Sequence, residues 1–404
     1  MPERVLISGA GVAGPTLAYW LDAAGYETTI VERAPALRTG GYVIDFSGLG
    51  YDIAERMGLA DGLEAVGYHI RELRIVGDLG EKVASFGVEG LRSLAGGRFI
   101  TIPRSGLSRL LFEKADGRTE VLFGDQVAAL HDEGDNVRVE FECAAPRSFD
   151  LVIGADGLHS NVRRLVFGPE DKFETDLGYS IAAFETQGYR TRDEDVYVLY
   201  NQPGIMLGRV TLRDDRTLFL FIFANEEEAA SKAQDTRAEK ALLRERYGGA
   251  AWECAEILAR LDDATDLYFE RVSQIRMETW SKGRVALVGD AAFCVSLAAG
   301  QGSALAMTAA YALAGELLKA EGGYDVAFRA YEALLRGYIA SKQKGAERFS
   351  GAFAPRTRWG LTVRNLIVNA LAAPGLARFI VGRELVDRLA LPDYPWPDRT
   401  TEAR

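Results

Sequence analysis

The apolar positions of this chain follow two different rhythms. Near the start, RVLIS (Arg4–Ser8) and TTIVE (Thr28–Glu32) are short, nearly continuous apolar runs. Strands buried on both faces show this pattern. Between them Leu17, Trp20 and Leu21 fall on one face of a helix that stops at Gly25, and Pro15 fits its first turn. Two later runs repeat the theme. LVIG (Leu151–Gly154) breaks into a polar turn and a short helix, and RVALVG (Arg284–Gly289) leads to Asp290, with a helix expected from Ser303 to about Lys319. Residues 175–275 read differently. YSIAAFET, VYVLY, IMLGRVTL and TLFLFIFA predict strands, with turns at Gln202-Pro203-Gly204 and Asp214-Asp215. Helices are expected around 227–247 and 251–261, and the alternating stretch 71–100 is expected to add strands to the same sheet.

Phe219, Phe221 and Phe223 alternate onto one face of a strand. They could wall a ligand site or pack beneath the sheet's own helices, because period two reveals a buried face and not what buries it. Beyond Tyr331 the chain reads as helical. Phe353, Trp359, Leu361, Val363, Leu366 and Ile367 predict an amphipathic helix after Pro355, and Leu376, Phe379, Ile380, Leu385 and Val386 a second after Pro374. Pro392, Pro395 and Pro397 predict a ragged end.

Composition narrows the class. The 404 residues are 48% hydrophobic and 26% charged, and 47 basic against 58 acidic side chains leave a net charge of −11. That balance disfavours nonspecific attraction to nucleic acid or anionic membrane. No apolar run reaches the ~18 residues of a membrane span, and the chain enters a strand at once, so a cytoplasmic protein is expected. Cys143, Cys254 and Cys294 are too scattered for a zinc site or a disulfide framework. His69, His131 and His159 read as surface or structural residues.

The chemistry-bearing motif lies between the first two strands. Gly9-Ala10-Gly11-Val12-Ala13-Gly14 is a GxGxxG turn in a strand–turn–helix–strand unit that ends in Glu32. Gly9 makes the tight turn, Gly11 lets a pyrophosphate approach the backbone, and Gly14 lets the helix pack on the sheet. The helix N-terminus offers N–H groups to phosphate. Glu32 can accept from ribose hydroxyls and would repel a 2′-phosphate, which favours FAD or NAD as the resident dinucleotide. Two further motifs are Asp156-Gly157…Ser160…Arg163 and Gly289-Asp290 followed by Gly300-Gln301-Gly302. By themselves Asp156-Gly157 could be a turn with Ser160 as a cap, and Asp290 a helix-start acid.

These three motifs, in this order and spacing, resemble class A flavin monooxygenases, the group of enzymes like p-hydroxybenzoate hydroxylase. The resemblance spans roughly residues 1–320. GVAGP, Arg38-x-Gly40-Gly41-x-x-x-Asp45 and Arg104 in IPRSGLSRLL are most similar to the tetracycline-inactivating branch. It implies an α/β fold, with a Rossmann-like FAD-binding domain (1–70, 101–173, 273–330). A substrate domain on a mostly antiparallel sheet (71–100, 174–272) would be inserted into it, and a C-terminal helical region (331–404) would follow. Noncovalent FAD would be held by Gly9, Gly11, Val12, Ala13, Gly14, Glu32, Arg33, Gly41, Asp45, Arg104, Val127, Asp156, Gly289, Asp290, Gly300, Gln301, Gly302, Ser303 and Ala304. Arg38 would meet a transiently docked NAD(P)H, since no second nucleotide unit is present. Phe184, Met206, Phe221 and Leu297 would face a substrate. The implied reaction is hydroxylation of an aromatic or polyketide-type molecule by O2 through a flavin C4a-hydroperoxide. The cofactor carries that chemistry, so no side chain is assigned as catalytic. Another flavin reaction, such as dehydrogenation or halogenation, and a non-catalytic flavoprotein that sequesters a planar ligand remain alternatives. A monomer or homodimer is expected, and no metal. Phe293, Leu297, Ala304 and Ala309 depart from the family's GDAAH…P..GQG.N…D pattern.

Overall fold

A computed structural model of the chain describes residues 3–38, 40–115, 117–225, 235–264, 266–296, 300–371 and 389–397. The continuous apolar runs form the centre of a six-stranded sheet ordered Ser281–Lys282, Val285–Leu287, Leu151–Gly154, Arg4–Ser8, Glu27–Glu32 and Glu120–Phe123. All its pairings are parallel except the first, at the edge. Val5, Leu6, Ile7, Val152 and Ile153 are fully covered, as parallel strands with helices on both faces require. The helix Ala13–Ala23 crosses between the first two parallel strands and packs against Gly302–Lys319 and Arg104–Ala115. The long small-residue helix Gly302–Lys319 is buried from Leu305 to Leu317, so its alanines allow close helix contact on several sides.

The second sheet has seven strands, ordered Tyr268–Ile275, Glu174–Gln187, Arg216–Ala224, Ile205–Thr211, Val196–Gln202, Glu72–Val76 and Lys82–Gly87. It is antiparallel except where Glu72–Val76 runs parallel to Val196–Gln202. The stretch 71–100 therefore does add strands here. A three-stranded sheet, Val127–Asp132, Val137–Phe141 and Arg147–Phe149, had no counterpart in the sequence reading. Val43–Ser47 and Phe99–Pro103 pair as a small sheet facing the large one.

Alternation gives the large sheet two distinct faces. Ala182, Phe184, Val198, Tyr200, Leu207, Phe219, Phe221 and Phe223 cluster with Leu243, Tyr247 and Ile257 of the helices Thr236–Tyr247 and Cys254–Arg260. The phenylalanine stripe thus lies behind the sheet. Phe184 and Phe221 stack on each other at 5.9 Å with no more than 1% exposure, which corrects their assignment to a substrate wall. Tyr197, Leu199, Met206, Val210, Leu218, Leu220 and Ile222 occupy the opposite face, with Tyr42, Val43 and Phe99 beside them.

The helices Tyr324–Phe353 and Arg358–Leu371 follow. Trp359, Val363, Leu366 and Ile367 form the expected apolar stripe, but it is exposed. The second expected helix, including Leu376 and Phe379, lies outside the described residues. The ragged end is corrected for 389–397. Tyr394 is buried, donates to Glu316 at 2.8 Å, and lies where a side chain on Gly315 would sit; Trp396 packs 4.6 Å from Trp20. The aromatic rings between the prolines find a groove between two helices. Among the described residues no helix is long and apolar enough to cross a membrane.

Candidate functional site

The glycine turn explains two of its glycines by packing and leaves the third to something else. Gly9 has φ +110°, and a Cβ there would lie 2.6 Å from the Ala155 carbonyl oxygen. A Cβ on Gly14 would lie 2.0 Å from the Gly9 carbonyl oxygen, so the helix could not pack so close to the turn with a larger residue. Around Gly11 nothing stands within 4 Å of the same position. The helix beginning at Ala13 has no side-chain cap from Val12 and no acid in its first turn. An open backbone at an uncapped helix start fits a pyrophosphate. Glu32 accepts from the amides of Ala10 and Ala34, both at 2.8 Å, one on each carboxylate oxygen. Each oxygen keeps a lone pair for a ribose hydroxyl. Arg33 and Arg38 are exposed in the segment after it, and Gly41 has φ +130° with open space around it.

The two later motifs are tied together. Asp156 accepts from Ser160 Oγ at 2.5 Å and from the Val162 amide at 3.0 Å, while Ser160 caps its helix through the Arg163 amide. Burial pushes the Asp156 carboxyl up, and these hydrogen bonds oppose the rise. Arg163, fully buried, donates to the Ala291 carbonyl at 3.0 Å and to Glu170 at 2.7 Å, so the Asp156 turn props up the Asp290 helix. Val127 is buried, and its carbonyl accepts from Asn161 at 2.6 Å. Gly289 has φ +64° and fits between Ala13 and Ala306. Asp290 therefore starts its short helix, Asp290–Phe293, with Oδ1 3.9 Å from where a Gly302 Cβ would be. Gln301 gives no side-chain cap to the helix Gly302–Lys319, whose first turn has no acid. That end is also open to an electron-rich group.

Facing Asp290 is Arg104, at the start of Arg104–Ala115, whose amide donates to the Tyr42 carbonyl at 3.0 Å. Burial opposes the Arg104 charge, but Tyr42, Tyr268, Asp290 and Cys294 around it hold its pKa above the usual value. Asp290 is pushed up by burial, against the pull of Arg104 and a hydrogen bond from the Cys294 thiol. The ring centroids of Tyr42 and Tyr268 lie 5.2 Å apart. Asp45 accepts from Thr101 Oγ1 at 2.6 Å and from the Tyr197 hydroxyl at 3.0 Å. It is set deep among protein atoms yet its residue is exposed to solvent, as on the wall of a cleft. Burial pushes its carboxyl up, and the two hydrogen bonds pull the other way. Tyr42, Tyr197, Leu199, Leu220 and Tyr268 are half-buried, while Ala183, Leu218 and Val210 on the same face of the large sheet are covered. The half-buried patch marks the cleft between that face and the Asp290–Arg104 pair.

Sequence reasoning missed Tyr42, Thr101, Tyr197, Leu199, Leu220 and Tyr268. Tyr42 lay inside a quoted motif, whereas the others carry no local signal. Met206 lies on the cleft-facing side but packs with Ile222 and Ala354. Gly300 has φ +63°, Ser303 and Ala304 are half-buried, and Ala304 abuts Gly50. Leu297 lies outside the described residues. Phe293 is buried with its ring centroid 4.7 Å from that of Trp280, and Ala309 is buried within its helix.

Comparisons with known proteins agree with this geometry. Residues 3–348 match the family described as an FAD binding domain. An uncharacterized protein of Mycobacterium tuberculosis is 40% identical over 346 residues, covering 84% of this chain and 92% of that protein. An FAD-dependent monooxygenase of Sarocladium schorii is 31% identical over 432 residues, covering 98% of this chain and 99% of that one. The crystal structure of tetracycline destructase Tet(51) is similar with a TM-score of 0.83 at 30% identity, covering 98% of this chain and 100% of that one. A match over residues 3–348 and a relative 31% identical over 99% of its length show that the chain belongs to the FAD binding domain family, among its FAD-dependent monooxygenases.

Proposed function

We propose that the protein hydroxylates a planar aromatic or polyketide-type small molecule with O2, drawing electrons from NAD(P)H. The observation that carries this reading is the half-buried patch of Tyr42, Tyr197, Leu199, Leu220 and Tyr268 opposite Asp290 and Arg104. Apolar and aromatic walls with a few polar groups suit a planar organic ligand better than a charged one. The similarity to a tetracycline destructase supports a polycyclic substrate.

FAD, when bound, supplies the redox and oxygen chemistry. The chain's residues bind and orient. The Gly11 turn and the Ala13–Ala23 helix start would hold the pyrophosphate, Glu32 the ribose, and Asp290 a ribitol hydroxyl. Arg104, Asp45 and the Gly300–Ala304 backbone would border the flavin. Leu199 and Leu220 would exclude water, and the Tyr42, Tyr197 and Tyr268 hydroxyls would orient polar groups of the substrate. Exposed Arg38, on the segment beside the cleft, suits a nicotinamide cofactor that docks and leaves. We assign the large sheet to the substrate and the parallel sheet to FAD.

The test is NAD(P)H consumption across a panel of phenolic and polycyclic compounds under 18O2. Substrate-dependent consumption with one labelled oxygen in the product is expected. Consumption without incorporated oxygen would point to dehydrogenation, and binding without consumption to sequestration.

A further inference from the structure

The backbone after the Asp290 helix is held by side chains from other elements. Ser296 is buried with φ +79°, a conformation a non-glycine residue keeps only where its surroundings hold it. The three carbonyls before it are held from outside, by two buried glutamines. Gln343, on the helix Tyr324–Phe353, turns its amide nitrogen to the carbonyls of Ile275 (2.8 Å), Cys294 (3.3 Å) and Phe293 (3.4 Å). Gln274, on the strand Tyr268–Ile275, donates to the Val295 carbonyl at 3.2 Å and to the Gln343 carbonyl at 2.9 Å. Its amide oxygen is fixed in turn by Arg276, at 2.8 and 3.2 Å. Gln274 is fully buried and Gln343 nearly so. The Ile275 amide completes the set on the Cys294 carbonyl at 3.0 Å.

We infer that Gln274 and Gln343 are positioning residues, an amide clamp that sets the 293–296 backbone and thereby the Asp290 side of the flavin site. Neither glutamine belongs to a motif, and neither reaches the cleft. The clamp acts on the carbonyls of Phe293, Cys294 and Val295, at the end of the Asp290 helix and just after it. The segment is held by side chains of two other elements. Two amides holding consecutive carbonyls are worth burying only if the segment's path matters, because an all-apolar contact would fill the space without needing partners.

The inference rests on the assignment of FAD to the Asp290 stretch. Its test reads bound flavin and not turnover, so it stands apart from the monooxygenation experiment. Gln343→Met keeps the length and removes the donors. Apoprotein of this variant should bind FAD roughly five- to tenfold more weakly, with an altered visible circular dichroism of the bound flavin. Leu335→Ala, two turns earlier on the same helix and fully buried in the core, is the control for lost stability alone. It should lower the melting temperature and leave both flavin readouts as in wild type. Gln274→Met removes the donor to Val295, and should show the same two changes at smaller size. It also covers the case in which Gln343→Met does not fold. Wild-type affinity and flavin spectrum in the glutamine variants would overturn the clamp. So would a loss of affinity that Leu335→Ala reproduces at equal loss of melting temperature.

Discussion

Asp290 shows how a single carboxylate divides its duties with a neighbour. Burial works against its charge, and the Arg104 charge works for it. Asp290→Ala should weaken FAD binding by about ten- to hundredfold, the range of about 1.5–3 kcal/mol for a hydrogen bond to a charged group. Equilibrium titration of apoprotein with FAD checks this. A similar contrast separates the turn glycines. Gly14→Ala places a methyl 2.0 Å from the Gly9 carbonyl oxygen and should destabilise the fold by about 1–3 kcal/mol, as overpacking does. Gly11→Ala meets no protein atom within 4 Å, so its melting temperature should stay near wild type while FAD affinity falls. Thermal melts of the apoproteins beside FAD titrations distinguish the two.

Among the elements, the Asp156 turn joins both sheets through His159. Its Nδ1 lies 2.8 Å from Glu170 and its Nε2 3.1 Å from Glu270 on the strand Tyr268–Ile275. The Glu270 hydrogen bond, opposed by burial and reinforced by the charges of both glutamates, raises its pKa to about 9. Because the folded value is above the unfolded one, the stabilisation is fully present below the unfolded value of ~6.5. It is lost as pH rises through about 9. His159→Gln should therefore lower the melting temperature most below pH 6.5 and match wild type in alkaline buffer; a melting series across pH tests it. The C-terminal tail is an element of a different kind, with no regular structure but a fixed place. Tyr394 fills the space beside Gly315 and donates to Glu316. Tyr394→Ala should cost about 3–5 kcal/mol, comparable to other buried aromatic truncations, as read by urea denaturation.

At the scale of the whole molecule, the large sheet is pinned along one seam to the small sheet of Val43–Ser47 and Phe99–Pro103 and to the segment 65–68. The Tyr197 hydroxyl reaches Asp45 from the large sheet. Arg213 donates to the carbonyls of Ala65 and Gly67 and covers the Tyr68 ring at 4.6 Å. Tyr42 meets Tyr268 at the cleft itself. Tyr197→Phe keeps the ring and removes one of two side-chain donors from a deeply set carboxylate. A loss of about 0.5–1.5 kcal/mol in chemical denaturation is expected, with the individual sheets intact by circular dichroism.

What the sequence determined by itself is whatever its local patterns encode. The GxGxxG turn, its helix and Glu32 lie within one short stretch, so spacing alone specifies a strand–turn–helix–strand unit with an open backbone at Gly11. The apolar runs likewise specified buried strands and residues 175–275 a series of strands and turns, while the antiparallel sheet was what the family resemblance implied. Tertiary structure decided everything that depends on which surface meets which. Phe219, Phe221 and Phe223 announced a buried face, but only docking of the helices Thr236–Tyr247 and Cys254–Arg260 turned it away from the cleft. The cleft residues come from five separate strands and loops, and no spacing in one chain segment links Tyr42 to Tyr197, Leu220 and Tyr268. Nor could the prolines near the end reveal that Tyr394 and Trp396 had a groove waiting, since that groove is built from Trp20, Tyr311 and Gly315 on two distant helices. Periodicity records that a side chain is covered. Its partner is chosen by long-range packing, which leaves no period of its own.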